Sequence, residues 1–263
     1  MEFTSPAGAY AFGDTEVAAR RLAVLDQVFG PASRDLLASV TTSPLALAYD
    51  LGCGPGHTTA MVAQATGAAA TIGLDTSAAH IERARAHAAG QVGFAVQDVL
   101  ALPFPAGPAD LIYCRLLLAH LPDPAGAVRS WSGQLTPDGI VVLDEIEWID
   151  ASEPVLRNHL RLAEGLVAAS GARMCAGPLL AGLGDEPGLR QVRTRITEVP
   201  VATALAATMF SMNIAVWGDR PARLGLCDDA ELRDLAAAMA ALRESPATGE
   251  ITWGMHQAAY ARR

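Results

Sequence analysis

Ala48-Tyr49-Asp50-Leu51-Gly52-Cys53-Gly54-Pro55-Gly56-His57-Thr58-Thr59 reads as a buried strand, a glycine turn and the start of a helix. Leu45 to Tyr49 is apolar throughout, and a helical pattern follows from about Thr58 to Thr66. Glycine recurs in the turn because tight turns need positive φ, and because a ligand approaches bare backbone only where no Cβ intervenes. The helix start adds N–H groups that favour a negative or polar ligand group. A nucleotide-like ligand suits this place.

Working outward, Thr71-Ile72-Gly73-Leu74 predicts a second strand that ends on Asp75, followed by Thr76. In dinucleotide-type sites an acid about 20 residues beyond the loop accepts the ribose hydroxyls, and Asp75 stands at that interval. Val92 to Val96 predicts a third strand with Gln97, Asp98 and Val99 at its carboxyl end, and Ala109 to Arg115 a fourth. Open α/β sheets bind ligands at the carboxyl ends of their strands. Asp50, Asp75, Asp98 and Arg115 are therefore expected around one crevice.

The loop departs from the dinucleotide pattern, because His57 stands where its last glycine would be. Asp50-Leu51-Gly52-Cys53-Gly54-Pro55-Gly56 instead has the form acid-x-Gly-x-Gly-x-Gly, and here the chain resembles the class I S-adenosylmethionine-dependent methyltransferases of small-molecule type. The resemblance continues through Val96-Gln97-Asp98-Val99 with Leu102-Pro103-Phe104, through Ala109 to Arg115, and through Leu135-Thr136-Pro137-Asp138-Gly139-Ile140. It covers roughly residues 45 to 148. It implies an α/β fold, a seven-stranded, mostly parallel, doubly wound sheet of Rossmann-like methyltransferase type with a helical cap. It implies S-adenosylmethionine as cofactor, held by Asp50, Gly52, Gly54, Gly56, Asp75, Thr76, Gln97, Asp98, Val99 and Arg115. The N-terminal segment of such proteins folds over the donor, which would set Tyr10 near the methyl group and Arg20 or Arg21 near the donor's carboxylate. The implied activity is methyl transfer to a small organic acceptor. The same fold also hosts proteins that cyclise the donor or use it as a bound electrostatic element.

Net charge is −9, and no basic run exceeds two residues, which disfavours a nucleic-acid partner. The beginning of the chain shows no basic-then-apolar leader and no stretch is apolar enough to span a membrane, so a cytoplasmic protein without a membrane partner is expected. Cys53, Cys114, Cys175 and Cys227 are scattered, without the pairing of a zinc site or disulfide framework. No metal is expected, and a homodimer stays open.

The chain divides into an N-terminal helical segment over residues 1–44, a core over 45–201 and 249–263, and a helical cap insertion over 202–248. Asp14 predicts an N-cap for a helix to Phe29, ended by Gly30-Pro31, with a second short helix from Ser33 to Val40. Ser77 predicts the cap of a helix to Ala89 whose His80 and His87 face solvent. Strand five is read from Ile140 to Ile146, a helix capped by Ser152 to about Ser170, strand six from Gln191 to Val201, and an antiparallel last strand from Ile251 to Tyr260. A plain hairpin needs two to five residues between those last strands. The excess holds two helical patterns, 204–217 and 229–243, the first with apolar stripes on two sides.

A sulfonium methyl is already activated, so holding nucleophile, carbon and sulfur in line is the main task, contributing roughly 7 to 11 kcal/mol in favourable cases. A phenol, hydroxyl or carbon acid also needs a base, whereas a carboxylate or free amine does not. His120 and Glu145 are the candidate bases, His120 with an ordinary pKa near 6.5. Trp148, Met209, Asn213 and Trp217 are the candidate acceptor contacts. His159 and His256 join no constellation in the sequence.

Overall fold

The computed structural model describes residues 13–41, 43–184, 186 and 188–262. Tyr10 therefore lies outside the described residues. The elements are α1 (Glu16–Val40), β1 (Leu47–Leu51), α2 (His57–Thr66), β2 (Ala70–Asp75), α3 (Ala78–Ala86), β3 (Val92–Val96), β4 (Ala109–Arg115), α4 (Pro124–Ser132), β5 (Leu135–Ala151), α5 (Pro154–Ala169), α6 (Gly177–Leu183), β6 (Leu189–Val201), α7 (Thr203–Trp217), α8 (Arg220–Arg223), α9 (Asp229–Leu242) and β7 (Ile251–Arg262). One seven-stranded sheet runs in the order β3-β2-β1-β4-β5-β7-β6. β1 to β5 pair in parallel, and β7 runs antiparallel between β5 and β6. The strand order reverses at β1, which has β2 on one side and β4 on the other, so a crevice opens beyond their carboxyl ends.

α1 is one 25-residue helix with Pro31 inside it, where the sequence predicts two helices. Proline removes one helical donor, but apolar residues bury on both sides of it. Leu25, Val28 and Phe29 join the cluster shared with α5, α7 and β7, and Leu36 and Leu37 pack against β1. Each fully buried leucine or phenylalanine contributes about 1.5 to 3 kcal/mol, enough to carry the helix past the break. The N-cap is Thr15, whose hydroxyl accepts from Ala18 N, while Asp14 accepts from the Ser77 hydroxyl at 2.8 Å.

Other boundaries also move. β5 extends to Ala151 because β7 pairs with it along its whole distal half, past a bulge between Ile146 and Trp148. Glu153 caps α5 through Leu156 N, whereas Ser152 pairs with the backbone of Glu250. His80 is 4% exposed, not solvent-facing as read from the sequence, because α1 begins over that face of α3. α7 is apolar around its circumference and packs with α1, α5, α9 and β7 around one apolar cluster, so the inserted helices share a core with the sheet. Among the described residues, no helix is long and apolar enough to cross a membrane.

Candidate active site

A cavity of about 630 Å³ lies beyond the carboxyl ends of β1, β2, β4 and β5 and is walled by α1, α5 and α7. Its size falls within the range of small-molecule sites. One end is built on the glycine turn. Gly54, at φ +53°, donates its N–H to Asp75 Oδ2 at 2.9 Å, and Ser77 N donates to Oδ1 at 2.8 Å, so the carboxylate holds the loop beside β2. A carboxylate oxygen has room for further donors, and Asp75, Thr76 and Gly52 line the cavity. Gly56, at φ +92°, has a different task. A Cβ there would stand 2.8 Å from the Phe94 ring, so this glycine lets β3 and the loop pack.

Asp50 sits behind the loop and off the cavity wall, fully buried. It accepts from Thr58 Oγ1 at 2.6 Å and Thr59 Oγ1 at 2.7 Å, pinning the start of α2 to β1. Burial pushes its pKa up to about 6 against those hydrogen bonds. Beyond β3, Asp98 and Val99 line the cavity, with Asp98 Oδ1 accepting from Leu100 N and the Val99 carbonyl accepting from Trp131 Nε1, both at 2.8 Å. Gln97 turns away and braces the same bend by donating to the carbonyls of Ala101 and Pro103.

The middle of the cavity lies where β4 ends. Arg115 is buried, pairs with Asp26 of α1 at 2.9 Å and reaches Ser33 Oγ at 3.3 Å, tying α1 to the sheet. Next to it Leu116 takes φ +57°, the one non-glycine residue with positive φ among those described. Such a conformation persists only where the surroundings enforce it. Here Leu117 N and Leu118 N both donate to Glu145 Oε1 at 2.8 Å. Burial raises Glu145 to about 8, against the two backbone hydrogen bonds that favour its charged form. His120, in the same turn, is driven down to about 4 by burial and then by the Arg21 charge, below the ordinary value expected for a base.

The far end combines apolar walls with one buried polar chain. Leu25, Ile149, Leu160, Met174, Met209 and Trp253 contribute the walls. Arg21 Nε donates to Asn213 Oδ1, and Asn213 Nδ2 lies 3.2 Å from His159 Nε2. The His159 ring stacks between Phe210, 3.8 Å away at 10°, and Trp217, 4.8 Å away at 18°. Burial holds its pKa well below the usual histidine range.

Of the positions read from the sequence, Arg21, Gly52, Gly54, Asp75, Thr76, Asp98, Val99, Arg115, His120, Glu145, Met209 and Asn213 line this cavity. Asp50, Gly56, Gln97, Trp148 and Trp217 do not. Trp148 stands in register with Gly254 and covers it, because the bulge in β5 turns the indole onto β7. Trp217 backs the His159 ring instead of facing the cavity. His159 itself is missed by the sequence reading. It falls among the inward positions of α5, Leu156, Ala163 and Val167, which marks it as buried, but its partner Asn213 belongs to α7. His256, also outside any sequence constellation, pairs with Glu147 at 2.9 Å away from the cavity.

Residues 49–143 match the family model described as a methyltransferase domain. The trans-aconitate 2-methyltransferase of Methylobacterium radiotolerans is 39% identical over 160 residues, 61% of this chain and 55% of that one. Residues 49–143 carry a methyltransferase domain. The trans-aconitate 2-methyltransferase of Azoarcus sp. is 38% identical over 112 residues, 43% of this chain and 44% of that one. The chain thus spans about half the length of the curated relatives it matches. Among solved structures, the cyclase SpnF superposes with a TM-score of 0.56 at 19% identity, over 98% of this chain and 97% of that one. A putative type II methyltransferase from Anaeromyxobacter dehalogenans does so with 0.58 at 17% identity, over 88% and 95%. Likeness at that identity shows the methyltransferase fold. The family match stops at Leu143, so the glycine-turn end of the cavity lies within the methyltransferase domain, and α1, α5, α7 and β7 at the far end lie outside the match.

Proposed function

We propose that the protein transfers a methyl group from S-adenosylmethionine to a carboxylate oxygen of a small organic acid with a largely apolar body. The observation that carries this is the use of Glu145 Oε1 as acceptor for two backbone amides, Leu117 N and Leu118 N, which makes it a brace of the Leu116 turn. Burial drives His120 down to about 4 and pushes Glu145 up to about 8, both away from their ordinary values. General-base catalysis works best with a pKa near the operating pH in its deprotonated form. An acceptor that arrives already ionised needs neither group, and a carboxylate does so at pH 7. Arg21 supplies a permanent positive charge at the far end, among apolar walls that suit a hydrocarbon body. The relatives named for trans-aconitate act, by that name, on a carboxylic acid.

The glycine-turn end fits the donor. Backbone there is bare at Gly52 and Gly54, an acid faces the cavity from β2 and another from the turn after β3. In this reading Asp75 accepts the ribose hydroxyls and Asp98 with Val99 holds the adenine, Thr76 flanking them. The donor supplies an electrophilic methyl group. The chain's own residues align the acceptor, exclude water and place Arg115 and Glu145 as braces of the cavity's middle. In this reading α1 and residues 202–248 act as cover for a core formed by 45–201 and 249–263. The reading also suits the cytoplasm, where buried thiols such as Cys53 and Cys114 stay reduced.

Incubation with methyl-labelled donor and separate pools of aliphatic and aromatic carboxylic acids, phenols and amines tests this. A base-labile methyl ester formed with an equal amount of demethylated donor is expected. Label confined to phenols or amines overturns the carboxylate assignment, and a donor-derived ring compound without methylated product overturns methyl transfer.

A further inference from the structure

We infer that His159 recognises the acceptor as a hydrogen-bond donor, its proton held on Nδ1 by a relay that runs from Arg21 through Asn213. This rests on the reading of the far end of the cavity as an acceptor site. A guanidinium group has donors and no acceptor, so the Asn213 atom facing Arg21 Nε is the amide oxygen. The amide nitrogen then faces His159, and Nε2 at 3.2 Å must accept its hydrogen. An uncharged imidazole has one protonated nitrogen, which the relay assigns to Nδ1. Burial keeps the ring uncharged across the physiological range.

That Nδ1 is buried and has no hydrogen-bond partner among the described residues, although the residue is 1% exposed. Buried donors are rarely left unpaired, and leaving one so is costly. The ring cannot turn to find a partner, because Phe210 and Trp217 clamp its two faces. His159 lines the cavity, at the end shared with Arg21, Asn213 and Met209. A ligand oxygen entering there is the missing partner. The ligand class is an oxyanion or carbonyl on an apolar body. It is met by a neutral donor as well as by the Arg21 charge, and one side-chain amide orients both.

The test uses the full chain saturated with S-adenosylhomocysteine and phenylacetate as probe, with trans-aconitate in parallel. Nitrogen-15 spectra of the histidine-labelled protein, which has six histidines, are assigned by the signal lost in His159→Phe. They are expected to show His159 protonated at Nδ1 and unchanged between pH 5 and 8, with its Nδ1 resonance moving as phenylacetate is added. His159→Phe keeps the stacked ring and removes both ring nitrogens, the Nδ1 donor and the Nε2 acceptor of Asn213. By calorimetry it should weaken phenylacetate at least tenfold, leaving S-adenosylhomocysteine affinity as it was. A proton on Nε2, an unchanged phenylacetate affinity in His159→Phe, or failure of both carboxylates to bind the wild-type chain would each overturn the inference. If the tautomer and the binding hold while no methyl ester forms in the turnover assay, the proposed reaction fails and the recognition role stands.

Discussion

Replacing Glu145 by glutamine separates a brace from a base. Oε1 of Glu145 accepts from Leu117 N and Leu118 N, and a glutamine amide oxygen can keep both bonds, so the Leu116 turn should survive. What changes is titration. In the folded protein the carboxyl holds its proton up to about pH 8, against an ordinary value of 4.5 once unfolded. Between those values unfolding releases a proton, so a rising pH favours the unfolded state. One pKa unit is worth about 1.4 kcal/mol. Keeping the proton therefore costs the wild-type fold under about 1 kcal/mol at pH 5 and about 3 kcal/mol at pH 7. Glu145→Gln removes this cost. Urea melts at pH 5, 6, 7 and 8 should show the variant gaining roughly 2 to 3 kcal/mol over wild type between pH 5 and 7, or several degrees in Tm at roughly 2 to 4 °C per kcal/mol. Parallel stability curves for the two proteins would refute the buried, protonated carboxyl. Activity supplies the second reading. A general base contributes about 100-fold or more, so kcat of the folded variant should stay within about tenfold of wild type, and a collapse beyond 100-fold would make Glu145 the base after all.

Two further outcomes follow from the donor end. Asp75→Ala removes the acceptor of Gly54 N and Ser77 N as well as the proposed ribose contact; with hydrogen bonds to charged groups worth about 1.5 to 3 kcal/mol each, calorimetry should show S-adenosylmethionine affinity at least tenfold weaker, and unchanged affinity would remove the ribose assignment. Trp131→Phe leaves the Val99 carbonyl without its Nε1–H partner while keeping most of the ring's bulk; melts should show a loss of roughly 1 to 3 kcal/mol, with donor affinity falling less than in Asp75→Ala.

The glycine-turn end is legible in the chain because its parts are local. Strand periodicity places Asp50, Asp75 and Asp98 at strand ends, and parallel strands in one sheet bring such ends together whatever the helices do. The roles within that set still needed the structure. Gln97 and Asp50 differ from Asp98 and Asp75 only in which way the backbone turns them, one toward the carbonyls of the 97–103 bend and the other toward the hydroxyls that start α2.

The far end was not legible in this way. Arg21, His159 and Asn213 belong to three helices, and helical periodicity says which face of each is apolar but not which faces meet. Nothing in the stretch around His159 announces an amide across from it, and nothing around Glu145 announces that its oxygen serves two backbone amides near residue 117. Pro31 and His80 make the same point from the other side. Local rules end a helix at proline and put a charged-capable side chain in water, and both yield when burial of Phe29, Leu36 and Leu37 outweighs one lost hydrogen bond, or when a neighbouring helix covers the site. The sequence by itself determined a methyltransferase sheet and where its glycine turn and acids stand, since those depend on short-range pattern. The far end of the cavity, its Arg21–Asn213–His159 chain and the burial of its titratable groups were decided by tertiary packing, because desolvation and side-chain partners are properties of what surrounds a residue in space.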